Sequence, residues 1–331
     1  MEPRSTNERP MRAKLIFNSS SGAAGESPVQ LMDVISEMQA WKLVPEAFLV
    51  EPGCDLPGVV QDALERGTRL FVVCGGDGTI DAVAGALVGT RATLGIIPTG
   101  TQNNVALSLG IPADIPAAIA ILRTGRRIKV DMGLAVRGEI RRPFLEACSV
   151  GLLSALFPAA DDIQHGNLAR IGDFLAALVA SPPAEMHLVL DDKQEVHTLC
   201  HVVLVSNMPY IGPHYQVGSA VSFNDGLLDV LLFADLSKRD LLGYAVQEVT
   251  GGGPEDPRIQ HYHVRRVDID TQPAMPVMAD GSALGEGPLH IKVQRRALAV
   301  MAGEPAPEAL PGPGMIHAEE AGESTERKAP A

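Results

Sequence analysis

Residues 70–79 read LFVVCGGDGT, in which five apolar residues run directly into a loop with three glycines. The apolar run predicts a buried strand at Leu70–Cys74, and the small residues of Thr79–Val88 predict a helix directly after the loop. Glycines let the backbone approach a ligand closely, and the free N–H groups of a helix start suit a phosphate. Asp77 fits such a loop if it holds a cation beside the phosphate or handles a proton. A tight turn capped by Asp77 is the alternative.

The segments around this loop alternate between strand and helix patterns. The predicted strands are Ala13–Asn18, Ala47–Val50 and Thr93–Ile97, and the predicted helices are Val29–Ala40, Thr101–Leu109 and Ile115–Thr124. The strands read as continuously apolar, so we expect a parallel sheet with helices on both faces. Ligands of such sheets bind beyond the carboxyl ends of the strands.

Two more polar loops follow predicted strands at the same edge. Residues 98–104 (PTGTQNN) follow one strand and bring hydroxyl and amide donors from Thr99, Thr101 and Asn103. Together with the loop at Gly75–Thr79 they predict a two-sided phosphate cradle, although alone they would equally fit a capped helix start. Residues 18–22 (NSSSG) follow the first strand and predict a further wall of the same site.

After Asp131 the pattern changes to short strands with turns, which predicts a β-sandwich or a curled sheet. The predicted strands are Met186–Leu190, Cys200–Ser206, Leu227–Phe233, Arg265–Asp270, Pro276–Met278, Leu289–Val293 and Ala297–Val300. Helix patterns occur at Leu168–Ala180 and Leu236–Val246. Asp225, at a turn into a strand, could ligate a hard cation with nearby carbonyl oxygens, and a plain Asp-Gly turn is the alternative.

Composition limits the classes of function. The net charge of −13 over 331 residues argues against non-specific binding to nucleic acid. No two of the four cysteines have C-x-x-C spacing, and the nine histidines show no metal-ligand spacing. The N-terminus lacks a signal peptide, and no run of about 18 apolar residues exists, so we expect a cytoplasmic protein whose membrane contact is peripheral. Residues 1–12 and 302–331 read as a disordered arm and a disordered acidic tail.

These ordered pieces resemble the diacylglycerol kinase catalytic-domain family, which includes bacterial lipid kinases of the YegS type and sphingosine kinases. The resemblance rests on the Asn18 loop, Gly75–Thr79, Pro98–Asn104, Asp225–Asp229 and Asp280-Gly281. It implies an α/β nucleotide domain with a parallel sheet and a β-rich, sandwich-like lipid domain. We place these at 13–130 and 131–301, and in the family the last strands can return to the first domain.

The resemblance also implies an activity, which is transfer of the γ-phosphoryl group of ATP to a lipid hydroxyl with Mg²⁺ as cofactor. Asp280 and Asp77 would be catalytic, and Asp225 with backbone oxygens around Ser222 and Leu227 would form a structural Mg²⁺ site. The nucleotide and its Mg²⁺ would contact Asn18, Gly75, Gly76, Asp77, Gly78, Thr79, Thr99, Gly100, Thr101 and Asn103. The implied partner is a lipid at a membrane surface, and a homo-oligomer is left open.

One departure from the family pattern bears on activity. Many bacterial members have Asp-Gly-Glu where this chain has Asp280-Gly281-Ser282, and Glu286 could replace that Glu only if the loop folds back. The alternatives to a lipid kinase are therefore a catalytically weak lipid-binding or regulatory protein, and an NAD-kinase-like enzyme with a soluble substrate.

Overall fold

The computed structural model describes residues 9–22, 31–152, 154, 183–211, 215–216, 221–234, 240 and 258–304. The predicted arm up to residue 8 and the predicted tail from residue 305 lie outside these residues. So do the predicted helix at Leu168–Ala180 and all but residue 240 of the one at Leu236–Val246.

The first part of the chain alternates strands and helices, as predicted. Its elements are β1 (Met11–Phe17), α1 (Leu31–Ala40), β2 (Leu43–Leu49), α2 (Leu56–Glu65), β3 (Leu70–Gly75), α3 (Asp77–Leu87), β4 (Thr93–Pro98), α4 (Asn104–Ser108) and α5 (Ile115–Thr124). The four strands pair in parallel in the order β2-β1-β3-β4. Every residue of β3 and β4 is buried, so the loops that follow them start from the interior of this sheet.

The remaining elements are almost all strands, most of them antiparallel. They are β5 (Arg126–Arg137), β6 (Ile140–Phe144), β7 (Ala147–Gly151), β8 (Ala184–Leu190), β9 (Gln194–Ser206), β10 (Tyr210–Ile211), β11 (Tyr215–Gln216), β12 (Leu228–Ala234), β13 (Ile259–Val264), β14 (Arg266–Gln272), β15 (Pro276–Ala279), β16 (Ser282–Glu286) and β17 (Leu289–Ala302). All but β10 and β11 join the parallel strands in one continuous hydrogen-bonded sheet. The fold is thus α/β with a parallel sheet followed by a β-rich, sandwich-like part.

Three apolar clusters hold these layers together. One face of the parallel strands packs on α2 and α3 through residues such as Val60 and Ile80, and the other face packs on α1 and α5 through Met38 and Ile119. A third cluster lies among the antiparallel strands. The helices on both faces explain why the central strands read as continuously apolar.

Four local predictions differ from the structure. The predicted buried strand at Ala47–Val50 is the outer strand β2, where Leu49 is 53% exposed because β2 pairs only with β1 among the described residues. The predicted helix at Thr101–Leu109 is shorter, because Asn103 has a φ of 54° and so cannot continue a right-handed helix.

Helix α2 is additional to the predicted elements. Its start is set by Asp55, whose side chain accepts a hydrogen bond from the backbone N–H of Gly58.

The fourth difference concerns the last strand. The predicted strands Leu289–Val293 and Ala297–Val300 are one strand, β17, with a bulge at Arg296, where φ is 50°. One end of β17 pairs with β14, much of its length pairs with β5, and Ala299 and Val300 pair in parallel with β4. Strands β5 and β17 therefore connect the parallel strands directly to the antiparallel ones.

Candidate active site

The three polar loops meet at the carboxyl edge of the parallel strands. The side-chain amide of Asn18, after β1, donates to the Thr79 hydroxyl on α3 over 3.0 Å. The hydroxyls of Ser21 and Thr99 lie 2.7 Å apart, and the backbone N–H of Thr99 donates to the carbonyl of Gly75. Parallel neighbours end at the same edge of a sheet, so loops that are distant in the sequence form one surface.

The glycines of the first loop serve different purposes. A Cβ atom added to Gly76 would lie 3.1 Å from the Cα of Gly100, so the second loop leaves it no space. A Cβ at Gly78 would meet nothing within 4 Å. The open side of Gly78 is the first turn of α3, where bare backbone leaves room for a phosphate oxygen to accept a hydrogen bond from a backbone N–H group.

Asn103 shapes the second loop from within. Its side-chain amide donates to the carbonyl of Gly100 over 2.7 Å, and its Oδ1 accepts from the Gly100 backbone N–H over 2.8 Å. Asn adopts the left-handed backbone conformation more readily than most residues, which suits the positive φ of Asn103. Its two hydrogen bonds to Gly100 hold the loop in place. Thr101 is exposed beside it and is available to a ligand.

Asp77 connects this loop to the first one. Its carboxylate accepts hydrogen bonds from the backbone N–H groups of Asn104 and Val105, at 3.2 and 3.3 Å, across the start of α4. Burial raises the pKa of Asp77, the charge of Asp280 adds to this, and the backbone hydrogen bonds oppose it. Asp77 therefore has a structural role beside any role toward a cation.

Asp280 reaches the same place from the antiparallel strands. It lies in the tight turn between β15 and β16 with a φ of 39°. Its carboxylate accepts hydrogen bonds from the backbone N–H groups of Leu145, Glu146 and Ala147, where β7 begins. Three backbone donors fix the position of the carboxylate more firmly than a side-chain partner could.

Two further carboxylates of this site were missed by the sequence analysis. Asp81 lies one helical turn after Asp77 on α3, is 4% exposed, and pairs with the Arg142 guanidinium on β6 at 2.6 Å. Burial, and after it the charge and hydrogen bonding of Asp280, raise the pKa of Asp81 to about 9. The i, i+4 spacing from Asp77 was the available signal, since it puts both residues on one helix face.

Glu146 is the fourth carboxylate. Burial, followed by the charges of Asp77 and Asp280, raises its pKa well above the ordinary value. Nothing in its local sequence marks it, because only the pairing of β7 with β15 brings it to Asp280.

These four acidic side chains, which we call the carboxylate cluster, are Asp77, Asp81, Glu146 and Asp280. The negative charges of these neighbouring carboxylates disfavour ionisation of all four unless protons or a cation offset them. Oxygen-only ligands suit Mg²⁺, which usually keeps several waters and binds one or two carboxylates. Asp77 alone, or the hydrogen-bonded neighbours Asp81 and Asp280, could supply the one or two carboxylates that Mg²⁺ needs, and the bare helix start at Gly78 fits the phosphates that Mg²⁺ accompanies.

The residues predicted as a structural metal site lie elsewhere. The Asp225 carboxylate accepts from the backbone N–H of Leu227, and the Ser222 hydroxyl donates to the side chain of Asn224. The loop is held by the buried carboxylate of Asp131, which accepts from the backbone N–H of Gly226 over 2.6 Å. Asp225 is exposed, and a cation there stays a prediction.

Glu286 is remote from Asp280, so it does not replace the missing family Glu. In the β15–β16 hairpin Ser282 lies opposite Ala279, next to the turn, whereas Glu286 lies opposite Pro276 at the far end. The hairpin is extended rather than folded back. The second carboxylate near Asp280 is instead supplied by Asp81.

The expectation that the histidines lack metal-ligand spacing is wrong at two places. His261 and His263 both contact Asp229, and His187 and His197 both contact Glu195. These groups form between neighbouring strands, so linear spacing could not reveal them.

Comparison with known proteins agrees with this geometry. The family model described as diacylglycerol kinase catalytic domain matches residues 12–135, and the YegS C-terminal NAD kinase beta sandwich-like domain matches residues 156–302. A crystal structure titled as a diacylglycerol kinase from Bacillus anthracis has the same fold, with a TM-score of 0.68 at 21% identity over 88% of this chain and 97% of that chain.

Two curated relatives are similar in sequence. A diacylglycerol kinase of Bacillus subtilis is 26% identical over 277 residues, which cover 82% of this chain and 89% of the relative. A Klebsiella pneumoniae protein named "Probable lipid kinase YegS-like" is 41% identical over 183 residues, which cover 53% of this chain and 59% of the relative. The matches to the two domain models, in this order and over most of the chain, assign it to the diacylglycerol kinase catalytic-domain family with a YegS-type C-terminal domain.

Proposed function

We propose that this protein is an ATP-dependent lipid kinase that transfers the γ-phosphoryl group to a lipid hydroxyl. The observation that carries the proposal is the convergence of Asp280, from the antiparallel strands, with Asp77 and Asp81 on α3. Family membership supports a kinase of lipid type. The lipid acceptor, the use of ATP and the peripheral membrane contact are parts of the proposal.

The nucleotide phosphates would lie over the start of α3. The backbone N–H of Gly78 would donate to a phosphate oxygen there, and the Thr99 and Thr101 hydroxyls would border the space from the second loop. Mg²⁺, when bound by the carboxylate cluster, would neutralise phosphate charge. Asp77 would hold this cation while its hydrogen bonds keep α4 in position. Fixed groups of this kind need little reorganisation when charge shifts during transfer.

Asp280 is the proposed acceptor of the hydroxyl proton. The lipid oxygen forms a bond to the γ-phosphorus, the bond from that phosphorus to the β–γ bridging oxygen breaks, and the hydroxyl proton passes to the Asp280 carboxylate. Phosphoryl transfer has a loose transition state, so positioning matters more than base strength. Asp280 can therefore serve without the Glu that many family members have two residues later.

Within the described residues no helix is long and apolar enough to cross a bilayer. As a separate part of the proposal, the lipid would be taken up at a membrane surface.

A thin-layer assay with labelled ATP and Mg²⁺ tests the proposal. The acceptors are diacylglycerol, a sphingoid base, ceramide, phosphatidylglycerol and NAD. We expect slow, Mg²⁺-dependent labelling of a lipid and none in Asp280→Asn, whose amide cannot take the proton. Labelling of NAD alone would favour the soluble-substrate kinase. Lipid binding without any transfer would identify a binding protein.

A further inference from the structure

Asp229, His261 and His263 form a compact side-chain group, which we call the Asp-His cluster, between β12 and β13. Asp229 lies directly opposite His263 in the antiparallel ladder, and His261 is two residues from His263 on the same strand face. The Asp229 Oδ1 atom is 2.7 Å from His261 Nε2 and 2.9 Å from His263 Nδ1. One potential ligand atom of each residue lies within 4.8 Å of the other two.

The burial of these three side chains is graded. The Asp229 side chain is 4% exposed in a strand that is otherwise apolar, LDVLLFA, whereas His261 and His263 are 30% and 44% exposed. A carboxylate in such surroundings is costly unless it is paired with a cation or well hydrogen-bonded. Both imidazoles are partly exposed, so the group borders solvent.

We propose that the Asp-His cluster binds a divalent transition-metal ion of the Zn²⁺ type. Two imidazole nitrogens and one carboxylate oxygen are a ligand set that Zn²⁺ accepts, with a fourth position left for water. Ligand atoms around a tetrahedral Zn²⁺ lie roughly 3.3 Å apart, given Zn–N bonds of about 2.0–2.1 Å. The two distances from Asp229 Oδ1 to the histidine nitrogens are shorter than this by about half an ångström, and small side-chain rotations can lengthen them. Mg²⁺ prefers oxygen ligands, so we expect it to bind poorly here.

The cluster is separate from the carboxylate cluster. Asp229 lies opposite Ser206 on β9, and Ser206 lies opposite Ala147 on β7, whose N–H binds Asp280. Two strand spacings amount to about 10 Å. The ion would instead join β12 to β13, and β13 pairs only with β12 in the described part of the sheet. Binding would therefore hold an outer strand in place and stabilise the folded protein by mass action.

The chain offers a matched control in the second histidine group. His187 and His197 stack with ring centroids 4.2 Å apart, and both contact Glu195 at 3.4–3.5 Å. All three side chains are at least 40% exposed, so this group has no buried ligand. It also pairs two histidines with one carboxylate, but Glu195 is exposed, whereas Asp229 of the Asp-His cluster is buried.

The experiment uses the full chain without a histidine tag, stripped of metal. Calorimetric titration with Zn²⁺ measures stoichiometry and affinity, and Co²⁺ absorption reports tetrahedral coordination. We expect one tight Zn²⁺ at this cluster and a rise in melting temperature with Zn²⁺ that is lost in His263→Gln, whereas any rise with Mg²⁺ should be the same in wild type and His263→Gln. His263→Gln should weaken Zn²⁺ binding by more than about 100-fold, since loss of an outer-shell partner alone costs 10–100-fold.

The controls make the result decisive. His187→Gln with His197→Gln should leave the tight Zn²⁺ unchanged. Asp229→Asn should abolish tight Zn²⁺ binding. If this substitution of a buried residue prevents folding, His261→Gln, at a partly exposed position, gives the same test. The proposal is overturned if wild type binds no Zn²⁺ in the micromolar range, or if tight binding survives His263→Gln. Transfer activity is not read, so the outcome is independent of the kinase proposal.

Discussion

Gly76 and Gly100 pack against each other through their backbones, so that a methyl group added to Gly100 would lie 2.5 Å from the Cα atom of Gly76. This contact sets the spacing of the two phosphate-side loops. Because both partners are backbone atoms, no side chain can rotate away to make room. We expect Gly100→Ala to separate the loops, lowering both thermal stability and nucleotide affinity, the latter by at least about tenfold.

The matched control is Gly85→Ala on α3, the helix that follows the first loop. A Cβ atom at Gly85 would meet nothing within 4 Å, and alanine in a helix interior is favoured over glycine by about 1 kcal/mol. We expect equal or higher thermal stability and unchanged nucleotide affinity for Gly85→Ala. Equal nucleotide affinities of Gly100→Ala and wild type, by fluorescent ATP-analogue titration, would contradict the packing argument.

The carboxylate cluster predicts an unusual pH dependence of stability in the absence of divalent cations. Asp81 has a pKa of about 9 in the folded chain against an ordinary value of 3.8, so between these pH values the folded state holds a proton that the unfolded state has lost. A raised pKa contributes stability that is present at low pH and declines as pH rises toward 9. Asp77 and Glu146, whose pKa values are also raised, act in the same direction.

We therefore expect the melting temperature in EDTA to fall between pH 6 and pH 9. The fall should be smaller in Asp81→Asn, which removes one of the titrating groups. Asp62→Asn is the control, since it removes an exposed carboxylate that pairs with Arg66 on the surface. Identical slopes in wild type and Asp81→Asn would exclude Asp81 as the source.

For Asp77 we expect Asp77→Ala to lose measurable transfer while the protein stays folded. Removal of one preorganised electrostatic group typically costs about 10²–10³ in rate. The lost hydrogen bonds to α4 should also cost about 1 kcal/mol, as for other helix caps. Assays of turnover and urea unfolding separate the two effects, and near-wild-type turnover would remove Asp77 from the mechanism.

For Ser282 we expect Ser282→Glu to give a transfer rate equal to or above that of wild type. Ser282 lies beside the turn that carries Asp280, so a carboxylate there would restore the pattern that many family members have. Ala283→Glu is the control one residue further along the strand. A clear drop in rate only for Ser282→Glu would show that the site excludes a further negative charge.

Asp225→Ala distinguishes a plain turn from a cation site. Loss of the single hydrogen bond to Leu227 should cost about 1 kcal/mol whether or not Mg²⁺ is present. If Asp225 holds a cation, Mg²⁺ should raise the melting temperature of wild type more than that of Asp225→Ala. Melting curves of both proteins across a Mg²⁺ series test this, and parallel shifts would favour the plain turn.

The sequence predicts the parts of the fold that depend on local pattern. Strand β3, its glycine loop and helix α3 are read directly from residues 70–88, and Asp280 was identified through family resemblance. Glu146 and the Asp-His cluster were not found, because their partners come from strands far away in sequence. Asp81 was missed although its i, i+4 spacing from Asp77 puts both residues on one helix face. His263 meets Asp229 only through the register of β12 with β13, and no spacing within one segment encodes that register.

The pairing of β17 with β4 has a consequence for how the chain is made. Strand β4 is synthesised about 200 residues before Ala299 and Val300, which complete its second edge. At roughly 5–20 residues per second, the ribosome needs about 10–40 s to reach them. Through that interval the outer N–H and C=O groups of β4 are a template for any other extended segment. A chain stopped before residue 299 would keep this edge open, so we expect early truncations to aggregate even though every helix of the first part is present.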